Sequence, residues 1–224
     1  MTAKNFRFGV GLWPKHSRAA WQYTARRAEE LGFDVVQVPD HLGAPAPFPA
    51  LVSAADATSI KLGTFVLNAG FYKPALLARD VAGLELLTDG RFELGLGAGY
   101  VREEFEAAEL PFPSAGRRVD YLAHVTTYLR EHVPNVPILI AGTGDRLLML
   151  AAQQADIIGI AGGRPDSTAA DPLAERVEFV RRAAGERFEQ LELNLAITAV
   201  PEDNSGIPDL SLTHRYAPTL SDEQ

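Results

Sequence analysis

Seven short runs rich in Val, Ile, Leu and Phe recur along the chain with helix-patterned stretches between them, and this alternation constrains the fold more than any other feature. The runs are 6–12, 35–39, 60–68, 92–99, 136–142, 156–161 and 191–200. Several are apolar at successive positions, as expected of strands buried on both faces. The helical stretch 21–31 ends at Gly32, a natural C-terminal stop. Pro74–Leu87 opens with proline and closes on Thr88, Asp89 and Gly90, and Ala115–His132 stops ahead of Pro134. A short helix is expected over Asp145–Gln154, and another over 172–188 with an Arg/Glu-rich solvated face. Strand, helix and strand in repetition predict an α/β fold with a parallel sheet and helices outside it.

Periodicity leaves two closures open, a doubly wound sheet or a TIM-like (β/α) barrel. The chain of 224 residues, 46% hydrophobic, suits one domain over residues 1–200 followed by an irregular tail over 201–224. A complete barrel takes about 250 residues, so the expectation is a barrel with seven strands evident and the eighth β/α unit missing. Strands one and seven would then expose apolar edges, covered by the tail from Pro201 onward or by a second subunit.

Other classes are excluded on simple grounds. The chain has no cysteine, which removes disulfides, thiolate catalysis and cysteine-ligated metals and suits a reducing, cytoplasmic compartment. The net charge is −8 with basic residues scattered among acidic ones, so no nucleic-acid partner is expected. No apolar stretch reaches the ~18 residues of a membrane span, and the N-terminus carries no signal pattern. No metal-ligand spacing appears, so the hard chemistry falls to an organic cofactor.

The chemistry-bearing residues cluster where strands end, which in parallel folds is where functional loops lie. Asp40 and His41 end the second run, where the histidine can serve as acid, base or hydrogen-bond donor, or Asp40 can merely cap the loop. Val66 and Asn68 lie at the end of the third run, which reads equally well as a plain buried strand. Gly95, Gly97 and Gly99 alternate on the fourth, either leaving room for a flat ring or packing closely against a neighbouring helix. Ala141, Gly142, Thr143 and Gly144, and then Gly162, Gly163 and Arg164, could present N–H groups and a guanidinium to a phosphate, or form ordinary turns. Glu103, Glu104 and Glu106 read as a solvated charge run. The loops around 42–50 and 100–116 carry no interpretable motif.

The ordered set LGFDVVQVPDH (31–41), IKLGTFVLN (60–68), KPALLAR (73–79), LLTDGRFELGLGAG (86–99), PILIAG (137–142) and ADIIG (155–159) resembles the luciferase-like monooxygenase superfamily. Within it the chain is most similar to actinobacterial enzymes dependent on coenzyme F420, a deazaflavin, whereas bacterial luciferases use reduced FMN. The resemblance implies a barrel with a flavin or deazaflavin at its carboxyl-terminal mouth. It also implies a bulge in the third strand, often with a non-prolyl cis peptide, behind the tricyclic ring. His41, Asp40 and Tyr100 become the catalytic candidates, and Tyr100 stands where similar sugar-phosphate dehydrogenases carry a proton-donating glutamate. That departure, and the lack of a tryptophan after His41, points to another substrate and proton scheme.

The leading expectation is therefore an F420-dependent oxidoreductase exchanging hydride with a small organic substrate, working as a homodimer. The alternatives are an FMN-dependent monooxygenase and a shortened flavin-binding homologue or partner subunit without turnover.

Overall fold

The computed structural model describes residues 6–162 and 167–197. The chain divides into two compact units, Met1–Ile138 and Leu139–Gln224. The first carries strands β1 (Gly9–Gly11), β2 (Val35–Val38), β3 (Lys61–Thr64), β4 (Leu67–Asn68) and β5 (Phe92–Gly97). Its helices are α1 (Arg18–Glu30), α2 (Pro47–Ala55), α3 (Pro74–Leu87), α4 (Arg102–Ala107) and α5 (Ala115–His132). The second unit holds β6 (Ile138–Gly142), α6 (Asp145–Gln154), β7 (Ile157–Ile160), α7 (Pro172–Ala184) and β8 (Glu192–Leu195).

Every ladder described is parallel. In the first unit β1 pairs with β2, β2 with β3, and β3 with β5, while the two-residue β4 extends the β5 edge beyond β3. In the second, β6 pairs with β7 and β7 with β8. All seven expected strand runs are present, the third divided into β3 and β4 at a cis peptide between Phe65 and Val66. The 172–188 helix is interrupted at Gly185, whose φ of 55° ends α7 and starts a 3-10 turn. Two helices lie in the stretches without motifs: α2, begun by Pro47, and the short α4.

The faces of the first sheet differ. Val36, Leu62, Phe92, Leu94 and Leu96 are buried on one side, supplying the apolar contact with the helices. The opposite side, by strand alternation, carries Gly9, Gln37, Gly63, Glu93 and Gly95. There Glu93 is buried and pairs with the Arg7 guanidinium through both oxygens, at 2.8 and 3.3 Å. Helix ends follow ordinary capping chemistry. The Ser17 hydroxyl accepts from the Ala20 N–H, and Asp171 accepts from the Leu173 and Ala174 N–H groups ahead of Pro172.

Phe6 and Phe8 are exposed beside β1, as are Leu193 and Leu195 on β8 and Ile197 just beyond it. The tail expected to cover such edges lies outside the described residues. Among the described residues no helix is long and apolar enough to cross a membrane.

Candidate active site

The carboxyl ends of β2, β4 and β5 bring Asp40, His41, Asn68 and Tyr100 into one neighbourhood of the first unit. Asp40 turns inward. Its Oδ2 accepts from the Asn68 N–H and from the Tyr72 hydroxyl, both at 3.1 Å, tying the end of β2 to the turn after β4. Burial pushes the Asp40 carboxyl above its ordinary value, opposed by these two hydrogen bonds; the nearby Glu104 charge raises it further and His41 lowers it. Burial, followed by the Asp40 charge, pushes the Tyr72 phenol upward. The Tyr121 hydroxyl donates to the Tyr72 carbonyl at 2.7 Å, so the turn is held from both sides.

His41 has a different partner. Its Nδ1 lies 2.8 Å from Glu104 Oε1, and the same oxygen accepts from the Leu42 N–H at 3.2 Å. The Trp13 ring stacks on the imidazole at 5.8 Å and 20°, and Tyr100 approaches it edge-on at 6.3 Å and 80°. Trp13 is 44% and Tyr100 69% exposed, so this aromatic group faces solvent. The reading of residues 103, 104 and 106 as a wholly solvated run is corrected here, since the Glu104 side chain is only 15% exposed. Its inward turn follows from Phe105, buried between the rings of Phe71 and Phe112. Arg102 and Arg118 both lie over the Phe112 ring, at 4.4 and 4.2 Å, and the Arg118 Nε–H donates to the Gly99 carbonyl. Burial and the neighbouring Arg102 charge lower the pKa of Arg118.

Asn68 is buried, and its Oδ1 accepts from the Gly70 N–H, capping the 3-10 turn Ala69–Phe71. At Gly95 and Gly99 the close approach is to the β3 and β4 chain rather than to a helix. A Cβ on Gly95 would fall against the Thr64 carbonyl, and one on Gly99, whose φ is 74°, against the Asn68 amide. Gly97 is buried and stands opposite Asn68 in the β4–β5 register. Phe65 and Val66 are half-buried, unlike the fully buried Leu67 beside them.

In the second unit Ala141 and Gly142 end β6, and Thr143 and Gly144 form an exposed turn into α6. A Cβ on Gly142 would meet the Leu147 side chain at 2.8 Å, whereas one on Gly144 meets nothing within 4 Å. Asp145 opens the helix and pairs with the buried Arg176, whose guanidinium also lies over Phe179. Gly162 has a φ of 93°, and Gly163 and Arg164 lie outside the described residues.

Parallel strands alternating with helices, with polar groups gathered at the carboxyl ends, define an α/β chain of repeated β/α units. Residues 7–206 match the luciferase-like monooxygenase family, and the chain belongs to it. It is 28% identical over 207 residues to an uncharacterized protein of Mycobacterium tuberculosis, covering 72% of this chain and 71% of that protein. It is also 28% identical over 236 residues to the F420-dependent glucose-6-phosphate dehydrogenase of Amycolatopsis mediterranei, covering 89% of this chain and 70% of the enzyme. In fold it is similar to the coenzyme F420 dependent tetrahydromethanopterin reductase of Methanopyrus kandleri, with a TM-score of 0.72 and 19% identity over 84% of this chain. The chain spans 65% of that reductase's length.

Proposed function

We propose that this chain is an oxidoreductase that seats a deazaflavin of the coenzyme F420 type at the strand ends of its first unit and uses His41 to handle the substrate proton. The observation that carries this reading is the His41 imidazole itself. One of its nitrogens is committed to a largely buried carboxylate, and the other has no hydrogen-bond partner among the described residues.

The residues fit a flat ring. A Cβ on Gly11, at the end of β1, meets nothing within 4 Å, and the exposed rings of Trp13 and Tyr100 lie beyond it and around His41. Gly11, Trp13 and the half-buried Val66 would hold the ring system, with Gly97 as buried backbone behind Asn68. When bound, the deazaflavin supplies a hydride. The chain's part is orientation and proton movement. His41 gives or takes a proton at its free nitrogen, and the Tyr100 hydroxyl bounds the substrate where similar sugar-phosphate dehydrogenases place a glutamate. Asp40 orders the Asn68–Tyr72 turn beneath them. FMN is the second reading; the Tyr100 departure points away from a sugar-phosphate substrate with either cofactor.

A homodimer is part of the proposal. The outward face of α3 carries exposed Leu76, Leu86 and Leu87, an apolar surface suited to a second copy. A fluorescence titration with F420 and with FMN tests the function. Saturable F420 binding tighter than FMN is expected. Tighter FMN binding shifts the reading to a flavin monooxygenase, and binding of neither at micromolar protein overturns both.

A further inference from the structure

We infer that Glu104 is a positioning residue: it holds His41 as the Nδ1–H tautomer and so reserves Nε2 for the substrate. The inference rests on the reading of His41 as the group that meets the substrate proton, but its geometry stands independently.

An ionised carboxylate has no proton to give. The Oε1 of Glu104 already accepts from the Leu42 N–H, so the 2.8 Å contact with His41 is satisfied only if Nδ1 is the donor. Nε2 then carries the lone pair of the neutral ring, or the second proton of the charged one. The same carboxylate stabilises the imidazolium when Nε2 takes up a proton, the role that an acidic partner plays for any histidine acid or base.

The placement of Glu104 is built into α4. Phe105 is buried between Phe71 and Phe112, and its ring covers Gly70 so closely that a Cβ there would come within 2.6 Å of it. With Phe105 pinned, Glu104 is turned toward the end of β2, while Glu103 and Glu106 stay on the exposed side. Glu106 finds only the weak, exposed i,i+4 contact with Arg102 at 4.0 Å. One glutamate of the three therefore reaches His41.

A purely structural Glu104, pinning the Leu42 N–H alone, would not dictate the tautomer. The test uses the full chain with 15N-labelled histidine and no cofactor. Two-bond 1H–15N correlations are read at a pH above the ordinary histidine range, with the His41 signals assigned by their loss in His41→Asn. The wild type should show Nδ1 protonated and Nε2 bare. Glu104→Gln should keep that pattern, because the Leu42 N–H holds the amide oxygen toward the imidazole. Glu104→Ala should move His41 toward the Nε2–H form. A wild-type His41 protonated on Nε2, or a pattern unchanged in Glu104→Ala, overturns the inference; the first outcome needs no variant to fold. Failure to bind F420 or FMN with the Nδ1–H pattern intact removes the proposed function and leaves the role of Glu104 supported.

Discussion

Gly95 is where the fold leaves least room, and Gly95→Ala measures how much depends on it. The built Cβ would overlap the Thr64 carbonyl oxygen, lie 3.0 Å from the Thr64 carbonyl carbon and 3.2 Å from Val66 Cγ1. Thr64 is the buried last residue of β3, and the contact is with its backbone, so relief requires moving β3 away from β5. The Thr64 hydroxyl, buried, accepts from the Gly95 N–H at 2.8 Å and donates to the Gly95 carbonyl at 2.9 Å, so the same movement breaks two hydrogen bonds. Overpacking of this kind costs about 1–3 kcal/mol, and each hydrogen bond contributes about 1 kcal/mol. The sum, about 3–5 kcal/mol, is a large share of a stability of about 5–15 kcal/mol.

Both tryptophans, Trp13 and Trp21, belong to the first unit, so their fluorescence during urea unfolding reports the unit that holds Gly95. Gly95→Ala should lower the midpoint strongly, with a fall in melting temperature on the order of 10 °C. Gly83→Ala is the matched control: it lies in α3, its added Cβ meets nothing within 4 Å, and it should stabilise by about 0.5–1 kcal/mol. A Gly95→Ala midpoint equal to that of the wild type would refute the claim that this glycine is there for close approach.

Other perturbations follow from the same contacts. Asp40 has a folded-state pKa above 3.8, so its contribution is fully present below that value and is lost as pH rises through the raised one. Asp40→Asn, which keeps an acceptor for Asn68 and Tyr72, should gain stability relative to the wild type between about pH 4 and pH 7 in urea titrations; a relative loss would contradict the burial argument. Phe105→Ala should cost about 3–5 kcal/mol and scramble the His41 tautomer, read by unfolding and by nitrogen NMR. In the second unit, Asp145→Asn leaves the buried Arg176 charge uncompensated and should destabilise by about 3–5 kcal/mol, whereas Arg176→Met should be close to neutral because Asp145 is half exposed. Gly11→Leu should fold normally yet lose F420 or FMN in the titration; undiminished binding would move the ring's seat away from β1.

The inner strands were legible because burial on both faces leaves apolar runs, as in Val35–Val38 and Ile157–Ile160, and all seven runs contain strands within their limits. Two helices were equally plain, Pro74–Leu87 with a proline start and a closing Thr88-Asp89-Gly90 and Ala115–His132 by its length and period. What escaped was short. Arg102–Ala107 has too few turns for a period to register, and Pro47–Ala55 is apolar all round and so shows no stripe. Asp40 and His41 were visible from their position after β2, but the partner of His41 was not. A run of acidic residues looks solvated, yet Phe105 inside it signals a segment with one buried face, and the glutamate next to that anchor is the one able to turn inward. Trp13 escaped because it follows a strand of only three residues.

The glycines separate two jobs that share one pattern in the sequence. Gly95 admits the Thr64 backbone, Gly99 the Asn68 amide and Gly70 the Phe105 ring. Each brings two chain segments together without leaving space between them, and together they lock the turn after β4 against β5 and α4. That locking gives Asp40 a fixed Asn68 N–H to bind and gives α4 a fixed seat from which Glu104 reaches His41. The free space lies instead at Gly11, where β1 ends short and Trp13 stands exposed. On the function proposed above, His41 held on one side and an open, aromatic-walled edge on the other would suit a planar cofactor and a small substrate. On that reading the crowded glycines of β5 would act as scaffold behind the site.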